Sequence, residues 1–485
     1  MVIKTDDCIL EEKIPLSLVR ISENKTLSDS EAVVTKPPLK MSKAEIRTSL
    51  KASTWDGVFA TIFGGVTGGV LLTNFLLNLG ATSVEIGLLS SIPMFVNLLQ
   101  PLGAYLADRT TSRHWYGIAI FGFSRLLWLI LLVLIAGLGD LQTGHHHLVI
   151  GTLVIVFATH ILGSLGSASW FSWMAAIVPR RLRGRYFSVR NSAANLINLV
   201  CVPLMGLAVS SWNGGPIQGY GIVLCLGVVA GLSSLLFQFF ITDVNPQKTL
   251  LPSKSIASKD ATVAASHWFK DTNFLIFLFY YASWAFTVSL SAPFFNLYLL
   301  DNLHLDVSLV TIYSSLTSGA NLLMLVFWGK LADRIGNRPI LLFVGIMAAV
   351  IPLFWLATGA NSFSVWLWLP LLHLLSGGIW AALDLTSNNI QMSVAPCLRT
   401  QAGYFAIASA ITGVMGALGT ATGGFLAQLN IIGGLPGLFA LSAVLRLVAL
   451  LPLVFVREQG STPLVSVWRQ LRLSVLPVSL EKVTK

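Results

Sequence analysis

Residues 327–342 read FWGKLADRIGNRPILL, and residues 101–116 read PLGAYLADRTTSRHWY. Both contain L-A-D-R-x-x-x-R, so Asp333, Arg334 and Arg338 repeat Asp108, Arg109 and Arg113 at a constant offset. A second echo lies further along each half, where VPRRLRGRYF at 178–187 resembles APCLRTQAGYF at 395–405. All four segments are short, polar and flanked by long apolar stretches. The chain therefore reads as two related halves. Cutting it wherever an apolar run of about 20 residues stops gives twelve spans. They lie at 55–79, 84–107, 115–138, 148–173, 191–211, 222–241, 273–299, 308–328, 340–358, 365–391, 405–429 and 437–456. The motifs fall after spans 2 and 4 of each half.

Composition agrees with this cut. Of 485 residues, 54% are apolar and only 11% charged, with a mean hydropathy of +0.75; an ordinary soluble domain is about 25% charged. So few charges cannot cover a soluble surface of this size, which excludes a cytosolic enzyme, a disordered chain and a secreted scaffold. Cys8, Cys201, Cys225 and Cys397 have no paired spacing, so neither a disulfide framework nor a CxxC metal site is implied. The polar first ~50 residues do not read as a cleavable signal peptide.

The net charge of +10 is informative through its placement. All but two of the 31 Lys and Arg lie in the tails or in even-numbered connections. The odd connections carry Asp140, His145, His146, His147, Asp301, His304 and Asp306 instead. Basic residues remain on the cytoplasmic side during insertion. Both termini are therefore expected in the cytoplasm of a multi-pass protein of the cell (inner) membrane. The expected layout is a disordered tail (1–50), a six-helix bundle (51–241), a cytoplasmic loop (242–272), a second bundle (273–456) and a C-terminal tail (457–485). Within that last tail, Leu464, Val467, Trp468 and Leu471 share a face opposite Arg469 and Arg472, which predicts an interfacial helix. No aromatic-basic patch supports nucleic-acid binding, and no GxxxxGK[ST] loop supports ATP hydrolysis.

GKLADRIGNRP resembles the G-x-L-A-D-R-x-G-R-R signature of the major facilitator superfamily, with LADRTTSR a degraded copy in which Thr111 replaces the second glycine. The resemblance covers residues 55–456. It implies an all-α fold of 12 transmembrane helices in two pseudo-symmetric six-helix bundles, with the substrate site between them. It also implies that Asp108, Arg109, Arg113, Asp333, Arg334 and Arg338 latch the bundles together at the inner side. The alternative is that these residues only set topology. A second signature of that family, a glycine-rich GPxxGG in span 5, belongs to its exporters that run as antiporters. Here VPLMGL at 202–207 keeps only Pro203 and Gly206, too few for the close helix contact that signature makes.

The same resemblance directs spans 1, 4, 7 and 10 toward the cavity, and ionisable groups buried there are functional candidates. On span 10, His373, Gly377, Trp380, Asp384, Asn388 and Gln391 recur at helical spacing. Asp384 reads as the only acid deep in a cavity helix. It is a candidate proton-coupling group or, about 18 residues and roughly 27 Å from the outer end, an inner-gate residue. His160, with Ser164 and Ser167, and His373 are further coupling candidates. Asn74, Tyr281, Trp284, Trp380 and Asn388 are candidate substrate contacts, suited to stacking plus a few hydrogen bonds; interhelical packing is the competing role. Arg125 and Arg446 sit within the outward-packed spans 3 and 12, where pairing with carbonyls or an acid is expected ahead of substrate binding. The run His145–His147 is too short to read as a metal site.

These readings converge on a secondary active transporter, not an enzyme. It needs no cofactor and moves a small organic solute by alternating access, coupled to a proton. The alternatives are a proton-antiport efflux pump and a non-transporting sensor or assembly factor of the same shape.

Overall fold

A computed structural model describes residues 41–457 apart from 111, 140–143, 179–182, 244–270, 395–400, 430 and 432. The central loop and the C-terminal interfacial helix expected from sequence thus lie outside the described residues. Within them are twelve helices long and apolar enough to cross a membrane: Lys43–Asn78, Ser83–Ala107, Arg113–Leu138, His145–Ser167, Val189–Ser210, Gly215–Gln238, Thr272–Asn302, Val307–Ala332, Asn337–Trp355, Ser364–Gln391, Ile407–Ala427 and Gly434–Phe455. They are spans 1 to 12 below. Apolar stretches settle as helices because hydrocarbon leaves no other partner for backbone N–H and C=O groups.

Polar side chains define where the helices begin. Ser42 and Glu45 form a reciprocal capping box at the start of span 1, and Thr82 and Glu85 form another at span 2. Ser112, Asp271 and Asp306 cap spans 3, 7 and 8. The tail read from sequence as disordered through residue 50 is already helical from Lys43, because the capping box starts span 1 a full three turns before its apolar run.

The two signature copies build different turns. Gly336 alone separates the helix ending at Ile335 from the helix starting at Asn337, at φ 90° and ψ 162°. Only glycine adopts that backbone without strain. At the matching place in the first half stands Thr111, and there the helix ends at Asp108 and restarts at Arg113. Span 1 is broken too, between Val66 and Gly69, where Gly69 takes φ 58°.

The halves meet chiefly through span 2 on span 11 and span 5 on span 8. Glycine makes both contacts close. A Cβ at Gly87 would lie 2.8 Å from the Thr420 carbonyl oxygen, and one at Gly424 would lie 2.9 Å from that of Ser83. At Gly206 it would lie 2.4 Å from Thr311 Oγ1 and 3.2 Å from Ser308 Cα. The remnant in span 5, read as too sparse for a close contact, does make one: a single glycine suffices where span 8 presents the small residues Ser308 and Thr311. Further contact joins the last turns of span 1 (Gly69–Asn78) to span 8 and to the π-helical end of span 7 (Tyr298–Asn302). This closes the end opposite the arginines. Large apolar side chains such as Phe123, Val154, Leu226, Leu323 and Trp366 are exposed around the outside; on a spanning protein this is the face that lipid covers.

Candidate functional site

Span 10 carries the polar stripe, and its residues meet different surroundings as the helix descends. His373 is buried, and its Nδ1 lies 2.8 Å from the Leu369 carbonyl oxygen. Gly377 presses on span 8 so closely that a Cβ would sit 2.2 Å from the Thr317 carbonyl oxygen. Trp380 is half-buried, Asp384 and Asn388 are exposed, and Gln391 is buried again. The stripe is thus one helical face divided into three roles: helix contact, cavity lining and open surface. The exposed pair lies toward the arginine-bearing end, opposite the closure, and Tyr281 of span 7 is in electrostatic range of Asp384.

The other candidates scatter. Tyr281 is half-buried and stacks on Phe277 at 5.4 Å between centroids. Trp284, read as a substrate contact, is 5% exposed and stacks on the fully buried Tyr280; it belongs to the core of the second half. Asn74 lies not in an open cavity but in the closure, where it shares a polar pocket of about 360 Å³ with Asn78, Asp301, His304 and Asp306. His160 is exposed, while the Ser164 hydroxyl donates to the Val96 carbonyl at 2.9 Å and the Ser167 hydroxyl to the Ser164 carbonyl at 3.0 Å, so both hydroxyls of the expected His160–Ser164–Ser167 patch are held by backbone oxygens.

Two of the latch arginines have a described partner in their own half. Arg109 stacks on Tyr105 of its own helix at 4.5 Å and donates to its hydroxyl, and Arg338 donates to the Val454 carbonyl of span 12. Arg334 is exposed and Arg113 buried. The side chains of Asp108 and Asp333 lie outside the described residues, though each backbone sits at the end of its helix as the repeat requires.

A second constellation was not foreseen. Asp56, in span 1, is 2% exposed, so Asp384 is not the only acid within a cavity helix. Its Oδ1 accepts from Ser234 Oγ at 2.8 Å and from Gln238 Nε2 at 3.0 Å, and its Oδ2 lies 3.9 Å from Arg190 Nη2. Ser234 accepts in turn from Arg125 Nη2 at 2.8 Å. One carboxylate thus faces two guanidinium groups across spans 1, 3, 5 and 6. Two signals were available: an arginine within span 3 demands a partner, and Ser49, Ser53 and Asp56 lie on one helical face. Counting the first span from residue 55 left Asp56 at its margin. Arg446, in span 12, follows the expected carbonyl pairing, donating to the Ala348 carbonyl at 2.8 Å, the Ser291 hydroxyl at 2.9 Å and the Val288 carbonyl at 3.3 Å.

Comparison with known proteins bears on the whole arrangement. A family model described as Major Facilitator Superfamily matches residues 57–403 and also 286–483. An uncharacterized MFS-type transporter of Methanocaldococcus jannaschii is 23% identical over 325 residues, covering 64% of this chain and 75% of its own. Among solved structures, the nucleoside transporter NupG superposes with a TM-score of 0.64 at 16% identity, over 84% of this chain and 98% of that one. A D-xylose-proton symporter gives 0.64 at 15% identity, over 86% and 100%. A bacterial homologue of the iron transporter ferroportin, in its inward-facing state, gives 0.62 at 15%, over 86% and 99%. At such identities the likeness establishes the fold, not the solute.

Proposed function

The chain belongs to the major facilitator superfamily, and from that premise we propose that it is a secondary active transporter moving a small organic solute by alternating access with proton coupling. The observation that carries this reading is the asymmetry of the interface: closed where span 1 meets spans 7 and 8, with Asp384 and Asn388 exposed toward the other end. Trp380, Asn388 and Tyr281 are assigned to the solute's path, with Asp384 as the coupling carboxylate. An acid that exchanges protons with only one side at a time ties proton movement to the rocking of the halves.

The arginine-bearing end is assigned to the cytoplasm on its basic charge. Asp108, Arg109, Arg113, Asp333, Arg334 and Arg338 are assigned to the latch that closes this end in the opposite state. Arg109 and Arg338, which each hold a partner in their own half, are assigned an exchange of partners when the halves meet.

Two measurements test the proposal. Asp384→Asn is expected to reduce proton-driven uptake into proteoliposomes to background while leaving counterflow exchange intact. Loss of both activities, or of neither, removes Asp384 from coupling. For orientation, the four native cysteines are replaced by serine and single cysteines placed at His146 and Arg334. An impermeant thiol reagent added to intact cells is expected to label position 146 and not position 334; the reverse pattern overturns the assignment.

A second reading, proton-antiport efflux, gains one observation. The close approach of Gly206 to Ser308 and Thr311 supplies a close helix contact of the kind that signature makes. Flux measured in both directions under one proton gradient separates export from import.

A further inference from the structure

The two halves bury an arginine in corresponding clefts but treat it differently. In the first half, Arg125 lies among spans 1, 3 and 6, and Asp56 supplies the negative charge through Ser234. In the second half, Arg446 lies among the matching spans 7, 9 and 12, at 2% exposure. Its partners there are two backbone carbonyls and one serine hydroxyl, all neutral. Among the described residues no carboxylate lies within ion-pair distance of it, and its Nε has no hydrogen-bond acceptor. A guanidinium keeps its charge at any physiological pH. A buried charge without a counter-ion is unfavourable unless something else supplies one.

Arg446 also lines a cavity of about 290 Å³. The cavity's polar lining is Asn296, Ser314, Thr317, His373 and Ser376, with no acid among them. Phe295, Ile351, Trp355, Ile379 and Trp380 supply apolar walls. The His373 imidazole donates its Nδ1 proton to the Leu369 carbonyl, which leaves Nε2 as an acceptor for a donor on the ligand's body and not for its carboxylate. Every polar group here is neutral or cationic, which suits an oxyanion; one fixed positive charge suits one negative charge. The volume stands at the lower end of ligand pockets, and the aromatic walls suit a flat or short apolar body.

We propose that this cavity is the binding site for a small organic monocarboxylate, whose carboxylate pairs with Arg446 and whose apolar part packs between Trp355 and Trp380. This deepens the transport reading by naming a substrate class; it rests on that reading only for the ligand's passage across the membrane, not for its binding.

Binding is therefore tested without a gradient. The purified full-length protein in detergent is titrated with benzoate, with its neutral isostere benzamide, and with inorganic phosphate, followed by calorimetry and thermal shift. Benzoate is expected to bind, with benzamide and phosphate about tenfold or more weaker, since the contact is charge-assisted and single. Arg446→Gln is expected to remove the preference for benzoate. Because that variant can fail to fold, Asn296→Asp provides an independent arm. It is isosteric and places a carboxylate in the cavity, so it should weaken benzoate by about tenfold or more while raising or preserving thermal stability. Equal binding of benzoate and benzamide, phosphate tighter than benzoate, or unchanged benzoate affinity in Asn296→Asp would overturn the proposal. Benzoate binding with no flux in proteoliposomes leaves this site standing and sinks the transport reading instead.

Discussion

Asp56→Ala is expected to destabilise the first half by about 3–5 kcal/mol, the usual cost of removing one partner from a buried charged network. Asp56 is the one acid in contact with this cluster among the described residues, and its loss strands Arg125, whose Nε and Nη1 already lack acceptors. It also leaves Ser234 and Gln238 without the acceptor they share. Asp56→Asn retains an oxygen for those two donors and is expected to fall between wild type and alanine. The double variant Asp56→Leu with Arg125→Met is expected to recover more than half of the loss, because Arg125 is then no longer stranded and the remaining guanidinium, Arg190, keeps the Ser53 carbonyl and the Trp170 ring. Melting of the purified variants in detergent measures all three. If Asp56→Ala melts with the wild type, the network is not holding spans 1, 3 and 6 together.

Gly377→Val should have the second-largest effect. The added Cβ would lie 2.2 Å from the Thr317 carbonyl oxygen and 2.9 Å from Ala320 Cβ. The obstacle is backbone, so no rotamer change relieves it and spans 8 and 10 must separate. Overpacking costs typically about 1–3 kcal/mol, and the expected value is at the upper end. The separation also moves His373 and Trp380, on either side of Gly377, so solute binding should weaken along with the melting temperature. Gly163→Ala is the control. Nothing lies within 4 Å of its Cβ position, and alanine in a helix should leave stability unchanged or raise it by about 0.4–1 kcal/mol. Equal melting of the two variants would show that the span 8–span 10 contact tolerates a side chain.

The spans themselves were readable because hydrocarbon imposes a length and forbids charge. Most predicted bounds fall within a few residues of the helices found. Where they missed, the cause was local chemistry that hydropathy does not register. The Ser42–Glu45 box carried span 1 back to Lys43, and with it brought Asp56 inside the bundle. The repeat was also readable, but the difference between its two connections was not. The second turns on Gly336 alone, whereas in the first one helix ends at Asp108 and the next begins at Arg113.

The site was less legible. A helical stripe identifies a face, but it does not say what the face meets at each level. Thus Asp384 and Asn388 came out exposed, Gly377 pressed on a neighbour, and Trp284 fell into the core. The chain alone determined twelve crossings, their division into halves and the sorting of basic residues to one end, since each follows from the local cost of putting a charge or a bare peptide group in lipid. Only the tertiary structure decided which buried arginine has an acid beside it. That depends on which three helices close around the side chain, and residues as far apart as Asp56, Arg125 and Ser234 become neighbours only when the bundle packs.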